Sequence, residues 1–196
     1  MSLLTFPSAL SLRALGWEVT DRPKERKFVG LAWPHSSNLD GILMVMMASK
    51  MGLTMSWMVK DAVNKPVLGQ LVRSVGGVFI DRSKHNGVVQ QMVEEFEKRE
   101  EFALMVPPEG TRSYRDYWKS GFYHIALGAN VPIVPAFLDF GKKRAGFGPA
   151  ISLTGDVHRD MDAIRTFYES LDAKGFHDDQ VGPIRIREEE PTEADA

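Results

Sequence analysis

The sequence predicts a single α/β domain, with a central mostly parallel or mixed sheet flanked by helices. Three observations carry that prediction. The chain has 196 residues, enough for one full domain with a stable core of its own. Its composition, 43% hydrophobic and 26% charged, is that of a globular protein rather than a disordered or repetitive one. Short apolar runs alternate along it with stretches of helical periodicity, the pattern of helices packed on a sheet.

The elements follow in order. Leu3, Leu4, Phe6, Leu10, Leu12, Leu15 and Trp17 make an apolar opening before the charged stretch 21–27. Two readings of it stand: a helix packed on the domain, or an arm lying in a membrane interface. Residues 28–33 read as a buried strand stopped by Pro34. Asn38 is expected to cap a helix reaching about Lys50, and 55–59 to form the next strand. Residues 66–74 suit a short helix with Pro66 in its first turn, and 77–80 a strand between Gly76 and Asp81-Arg82. Val88, Val89, Met92, Val93 and Phe96 form a helical stripe within 87–99. A strand over 102–106 ends at Pro107-Pro108, a helix spans 120–129, and a strand 133–140. Residues 141–149 read as a glycine-rich turn carrying Lys142, Lys143 and Arg144, and 151–153 as a short strand. Met161, Ile164, Phe167, Tyr168 and Leu171 mark a last amphipathic helix. The expected division is an arm over 1–27, the domain over 28–177 and an acidic, disordered tail over 178–196.

Charge and composition narrow the function. The net charge is -2, yet residues 188–196 hold four Glu and one Asp without a base, leaving +3 on the remainder. A pI near 6.2 argues against a dedicated nucleic-acid binder. With no cysteine, disulfides, thiolate metal sites and a cysteine nucleophile are excluded, and a reducing cytosolic setting fits. No secretory signal is read, because the first base is Arg13 and Pro7-Ser8 break the apolar run. Lys50 lies inside the longest apolar region, 42–59, where a spanning helix would bury it at a cost of roughly 3 kcal/mol. A buried helix followed by a strand explains the run better, and the chain reads as soluble or peripheral.

Among familiar chemical signatures, the chain lacks a Gly-x-Ser-x-Gly elbow, a phosphate loop ending in Lys-Ser/Thr and a Gly-x-Gly-x-x-Gly fingerprint. His158 and Asp162 are four apart on a helix, but no further ligand pattern accompanies them, so no metal site is expected. The informative stretch is Trp33-Pro34-His35-Ser36-Ser37-Asn38-Leu39-Asp40-Gly41. On one continuous helix, residues five apart point about 140° away from each other. If His35 instead lies on the loop leaving the strand, and Asp40 in the first helical turn, the ring folds back onto the carboxylate. Asp40 then keeps one imidazole nitrogen protonated and aims the other at a substrate hydroxyl. Taken alone the spacing is weak, since about a third of one such pair arises by chance at this composition. A histidine that merely braces the helix explains it equally.

Three further blocks add weight. Gly76-Gly77-Val78-Phe79-Ile80-Asp81-Arg82 sets a base at a strand end. Pro107-Pro108-Glu109-Gly110-Thr111-Arg112-Ser113 follows another strand as a rigid polar loop. Val131-Pro132-Ile133-Val134-Pro135 opens a later one. In an open α/β sheet, loops beyond the strand ends meet in one crevice.

In this order and spacing the four blocks resemble the glycerolipid acyltransferases, the lysophosphatidate (1-acylglycerol-3-phosphate) acyltransferase family, over roughly 28–140. Lys60, Lys119-Ser120-Gly121 and Thr154-Gly155-Asp156 extend the likeness toward a compact, soluble-looking branch. The resemblance implies an O-acyltransferase, cytoplasmic and peripheral on the inner face of the membrane. An acyl thioester, on CoA or acyl carrier protein, would donate to a hydroxyl of a lysophospholipid or glycerol phosphate at a membrane surface, with no resident cofactor. By position, His35 would be the general base and Asp40 its orienting partner. Arg82, Glu109, Gly110, Thr111 and Arg112 would bind substrate, guanidinium suiting bidentate phosphate recognition. The pattern departs from the family's at Pro34, Leu39 and Pro107, which alters a pocket wall. A glycolipid or amino-acid lipid acceptor, a thioesterase, or a lipid- or thioester-binding module without turnover are the alternative readings. Six methionines between Met44 and Met58 serve either as flexible core filler or as the lining of an acyl channel.

Overall fold

A computed structural model describes residues 5–20, 22–81 and 87–190, with side chains from Leu10 onward. Its strands are β1 (Glu18–Val19), β2 (Lys27–Ala32), β3 (Met55–Lys60), β4 (Gly77–Ile80), β5 (Phe102–Val106), β6 (Ile133–Asp139) and β7 (Arg144–Phe147). They form one sheet in the order β1-β7-β6-β2-β5-β3-β4. Every pairing is parallel except β6 with β7. The mixed, mostly parallel sheet expected from the alternation is the one observed.

β2 is central because it is apolar on both sides: Phe28, Val29 and Leu31 have no exposed surface, as parallel strands covered on both faces require. The chain leaves β2 through α2 (Asn38–Met51) and crosses β3 to β4 through α3 (Pro66–Ser74). It then returns through α4 (Gly87–Lys98) to β5 and through α5 (Gly121–Gly128) to β6. Reversing direction with right-handed crossovers puts the two helix sets on opposite faces. One core joins Leu43 and Met47 of α2 to Phe28, Met105 and Val134, together with Leu12 of α1 (Thr5–Ala14). The other joins Met92 and Phe96 of α4, Ile125 of α5 and Tyr168 of α6 (Val157–Leu171) to Val29, Leu31 and Leu104.

Several expectations are corrected. Ser37, not Asn38, caps α2: its Oγ accepts from the Leu39 N–H at 3.0 Å, and Asn38 is the first helical residue. The turn expected over 141–149 contains β7, whose Ala145 and Phe147 face the core while Lys143 turns the hairpin at φ 50°. The strand expected over 151–153 is a single bridge between Ile151 and Ile133. Within the amino-terminal stretch, Leu12 and Trp17 are buried and β1 joins the sheet edge, while Leu10 and Leu15 stay exposed. The acidic tail starts later than 178. Ile184 and Ile186 alternate inward onto the core, Ile186 bridging to Trp118; residues 191–196 lie outside the described residues.

The paired bases also have structural work. Lys142 Nζ donates to the Leu171 carbonyl at 2.7 Å, Lys143 Nζ donates to that of Leu15 at 3.1 Å, and Arg144 lies 3.9 Å from Glu18. Asp162 pairs with Arg165 rather than with His158. No helix among the described residues is long and apolar enough to cross a membrane.

Candidate active site

The parallel strands β2, β5 and β4 all point their carboxyl ends to one edge of the sheet, so the loops that follow them share it. His35 stands on the loop leaving β2, after a cis Trp33-Pro34 peptide. Asp40 is the third residue of α2, where the capping box takes a hydrogen-bonding side chain. Its carboxylate accepts from the N–H groups of Ser36 (2.7 Å) and Ser37 (2.8 Å) and from the Ser37 hydroxyl (2.9 Å). The same carboxylate lies 3.1 Å from His35 Nδ1.

This is the folded-back geometry that the five-residue spacing called for. Burial pushes the Asp40 carboxyl up, but the hydrogen bonds from His35 and Ser37 and the His35 charge hold it below the usual range. An ionised Asp40 keeps the proton on Nδ1, so Nε2 is left as an acceptor. The Asp40 side chain is 2% exposed and that of His35 21%. The carboxylate is therefore sealed behind a ring that solvent reaches.

His35 lines a cavity of about 870 Å³. Its other walls are mainly apolar: Met44 and Val45 from α2, Met55, Trp57 and Met58 from β3, Met105 and Val106 from β5, Phe122 and Ile125 from α5. Gly110, Arg112 and Lys119 supply the polar part of the same wall. The chamber thus combines a long apolar lining with one base and two cations. Of the methionines that sequence reading left open, Met44 and Met58 line the cavity, Met47 is core, and Met55 is both.

The loop after β5 builds the cationic corner. Gly110 adopts φ +66°, and a Cβ there would come within 3.0 Å of the Lys119 side chain. Only glycine meets both demands without strain. Arg112 Nη1 donates to Asn38 Oδ1, tying this loop to the start of α2.

Two of the residues expected to bind substrate lie off the cavity wall. Glu109 is 2% exposed and absent from the cavity wall; its carboxyl sits behind the His35 loop, facing the His35 backbone N–H and the Trp33 indole. Burial pushes that carboxyl up to about 8 despite those two donors, and the neighbouring Asp40 charge adds to the rise. The Trp33 indole faces the carboxyl without forming a well-aligned hydrogen bond, so Glu109 Oε2 and Trp33 Nε1 stay buried and unsatisfied, as does Trp118 Nε1. Thr111 is likewise off the wall, its hydroxyl accepting from the Ser113 N–H at 3.4 Å. Arg82 lies outside the described residues.

Lys119 was legible only as part of a short motif, not as a pocket cation. A lysine seven residues past an arginine, across a loop, has no periodic signal. No group of three or more potential metal ligands is gathered among the described residues. Aromatic packing backs the site: Trp33 lies 5.0 Å from Tyr168 and 6.1 Å from Trp118 between ring centroids. The Tyr168 hydroxyl donates to the Leu31 carbonyl at 2.7 Å, anchoring the end of β2.

Comparison with known proteins gives consistent findings. Residues 19–139 match the family described as Acyltransferase. A 1-acyl-sn-glycerol-3-phosphate acyltransferase of Limnanthes douglasii is 36% identical over 110 residues, covering 53% of this chain and 38% of that protein. The enzyme of that name from Escherichia coli is 38% identical over 76 residues, covering 36% of this chain and 31% of that one. The match therefore spans well under half the length of these relatives. The crystal structure of the 1-acyl-sn-glycerophosphate acyltransferase PlsC from Thermotoga maritima superposes with a TM-score of 0.58 at 18% identity, over 88% of this chain and 79% of that one. At that identity the likeness shows the fold.

Proposed function

This chain belongs to the acyltransferase family, and from that premise we propose that it transfers a fatty acyl group from a thioester to a lipid hydroxyl. The donor is an acyl-CoA or acyl carrier protein thioester. The acceptor is a lysophospholipid or glycerol phosphate. The observation that carries the reading is His35, braced at 3.1 Å by a buried Asp40, on the wall of an apolar cavity that also presents Arg112 and Lys119. The apolar lining suits an acyl chain, and the two cations suit a phosphate.

In this mechanism the acceptor hydroxyl approaches His35 Nε2. The ring takes its proton as the oxygen attacks the thioester carbonyl. Asp40, held ionised, stabilises the imidazolium that forms and prevents the ring from turning. The tetrahedral intermediate then collapses, the C–S bond breaks, and the imidazolium returns the proton to the departing thiolate. An ester and a free thiol result. Arg82, two residues beyond the cavity-lining Ile80 in sequence, is read as a third cation for the acceptor phosphate. A lipid acceptor places the reaction at a bilayer surface, and we read the protein as peripheral on its cytoplasmic side.

The test is turnover of a labelled acyl thioester with a panel of acceptors: lysophosphatidate, glycerol 3-phosphate, a lyso-glycolipid, an amino-acid lipid and water alone. Transfer to the phosphate-bearing acceptors, lost by about 10²- to 10⁴-fold in His35→Ala, is the expected result. Equal release of free acid without acceptor would make the protein a thioesterase. Wild-type turnover in His35→Ala would remove the mechanism.

A further inference from the structure

We propose that the face of the sheet carrying α1, α2 and α3 is a docking surface for a bilayer with anionic headgroups, continuous with the cavity mouth. The inference deepens the lipid-acceptor reading and rests on it.

Among the described residues, twelve large apolar side chains are exposed, and nine of them lie on these three helices or at their ends. On α2 they are Leu39, Ile42 and Val45, 44 to 59% exposed and spaced three apart, hence on one flank. On α3 and its end they are Val67, Leu68, Leu71 and Val75, with Val67 83% exposed. Both helices cover the same side of the sheet. α2 packs on the Phe28, Met55 and Met105 side. α3 lies over Val59 and Phe79, since Val72 would meet a Cβ on Gly77 and Arg73 stacks on the Phe79 ring at 4.8 Å. A soluble monomer rarely gathers its exposed apolar groups on one side without a use for them.

Charge says what covers this face. Within the three helices every ionisable residue other than the buried Asp40 is basic: Arg13, Lys50 and Arg73. Lys65 immediately precedes α3, and the one acid in the turn before it, Asp61, is hydrogen-bonded by Asn64 at 3.1 Å. The opposite face mixes both signs, Glu94, Glu95 and Glu97 with Lys98 on α4 and Asp162 and Glu169 with Arg159 and Arg165 on α6. Exposed aliphatic groups rimmed by cations match the boundary between acyl chains and anionic headgroups. Val45 belongs both to this surface and to the cavity lining. An acyl chain therefore passes from the bilayer into the cavity without crossing a polar rim at that point.

The experiment compares the full chain with Val67→Glu/Leu71→Glu, Lys50→Glu/Lys65→Glu and a control on the other face, Leu127→Glu, after circular dichroism of each. Sedimentation with vesicles of mixed zwitterionic and anionic phospholipid should fall by about tenfold or more in the two double variants and stay unchanged in the control. High salt should weaken binding of the parent. Activity on a dispersed short-chain acceptor should survive in all three. Vesicle binding unchanged in both double variants overturns the surface while leaving the acyltransferase reading intact. Vesicle binding that follows the prediction, with no transfer to any lipid acceptor, fails the functional reading instead. A dimer in sedimentation velocity without lipid, dispersed by Val67→Glu/Leu71→Glu, would assign the face to a second copy of the chain and overturn the proposal.

Discussion

Replacing Glu109 by Gln should make the protein more stable in alkali than its parent. Glu109 is buried, and its carboxyl ionises at about 8 instead of the ordinary 4.5. Below pH 4.5 the group is protonated in both the folded and the unfolded chain, so it favours neither. Between there and pH 8 the unfolded chain releases the proton while the folded chain keeps it. The folded state then binds more protons, and stability falls as pH rises. Each pH unit across that interval costs about 1.4 kcal/mol. The full climb of about three and a half units amounts to roughly 3–5 kcal/mol, a large share of the 5–15 kcal/mol that typically holds a domain together. The group is almost fully buried, so solvent screening removes little of this. Glutamine has nearly the same shape as the protonated acid, with an acceptor oxygen and a donor NH2 where the acid has its carbonyl and hydroxyl, but it cannot ionise.

Urea denaturation of both proteins from pH 5 to pH 9 reads the effect directly, because other titrations cancel in the difference. The curves should lie close together near pH 5 and diverge steadily, with Glu109→Gln ahead by several kcal/mol at pH 9. Parallel profiles across that range would refute the assignment of a neutral, buried acid behind His35.

Further predictions concern the cavity. Asp40→Asn should cut kcat by about 10²–10⁴ while costing only about 1 kcal/mol of stability, since an amide oxygen still accepts from the loop N–H groups; steady-state kinetics and thermal melts separate the two. Arg112→Ala and Arg82→Ala should each raise KM for a phosphate-bearing acceptor more than they lower kcat, with little change toward a phosphate-free one. Gly41 lines the cavity, and a Cβ there meets nothing within 4 Å. Gly41→Ala should therefore gain about 0.5–1 kcal/mol of helix stability, and Gly41→Phe should shift donor preference toward shorter acyl chains in a competition assay.

What could be read in the sequence follows from where each signal is local. β4 and β5 were legible to the residue because glycine and proline bound short apolar runs. β7 was not, because Arg144-Ala145-Gly146-Phe147 offers two inward apolar groups around a glycine, which alone looks like a turn. β1 is two residues long and exists only because β7 is there to pair with it. Ile184 and Ile186 sit among prolines and charges, and their burial depends on Trp118, far away in sequence. At the site, the His35–Asp40 approach was legible since both ends of the loop are fixed locally. The burial of Glu109 was not, because a glutamate after two prolines looks exposed until Trp33 and Tyr168 close over that side.

The His35–Asp40 spacing has a structural origin apart from any chemistry. β2 ends at Ala32, and Ser37 caps α2. A capping box demands a hydrogen-bonding side chain three residues after the cap, which is position 40. The loop between strand and cap then has two buried N–H groups, on Ser36 and Ser37, that need an acceptor, and the Asp40 carboxylate meets both. The same oxygen that receives them lies 3.1 Å from His35 Nδ1. One carboxylate therefore caps the helix, satisfies the loop and fixes the imidazole. Those backbone donors also help to keep it ionised within a buried site, so the ring is oriented before any substrate arrives. The His35–Asp40 pair and the helix start are a single hydrogen-bonded unit, and a carboxylate moved to 39 or 41 would supply neither.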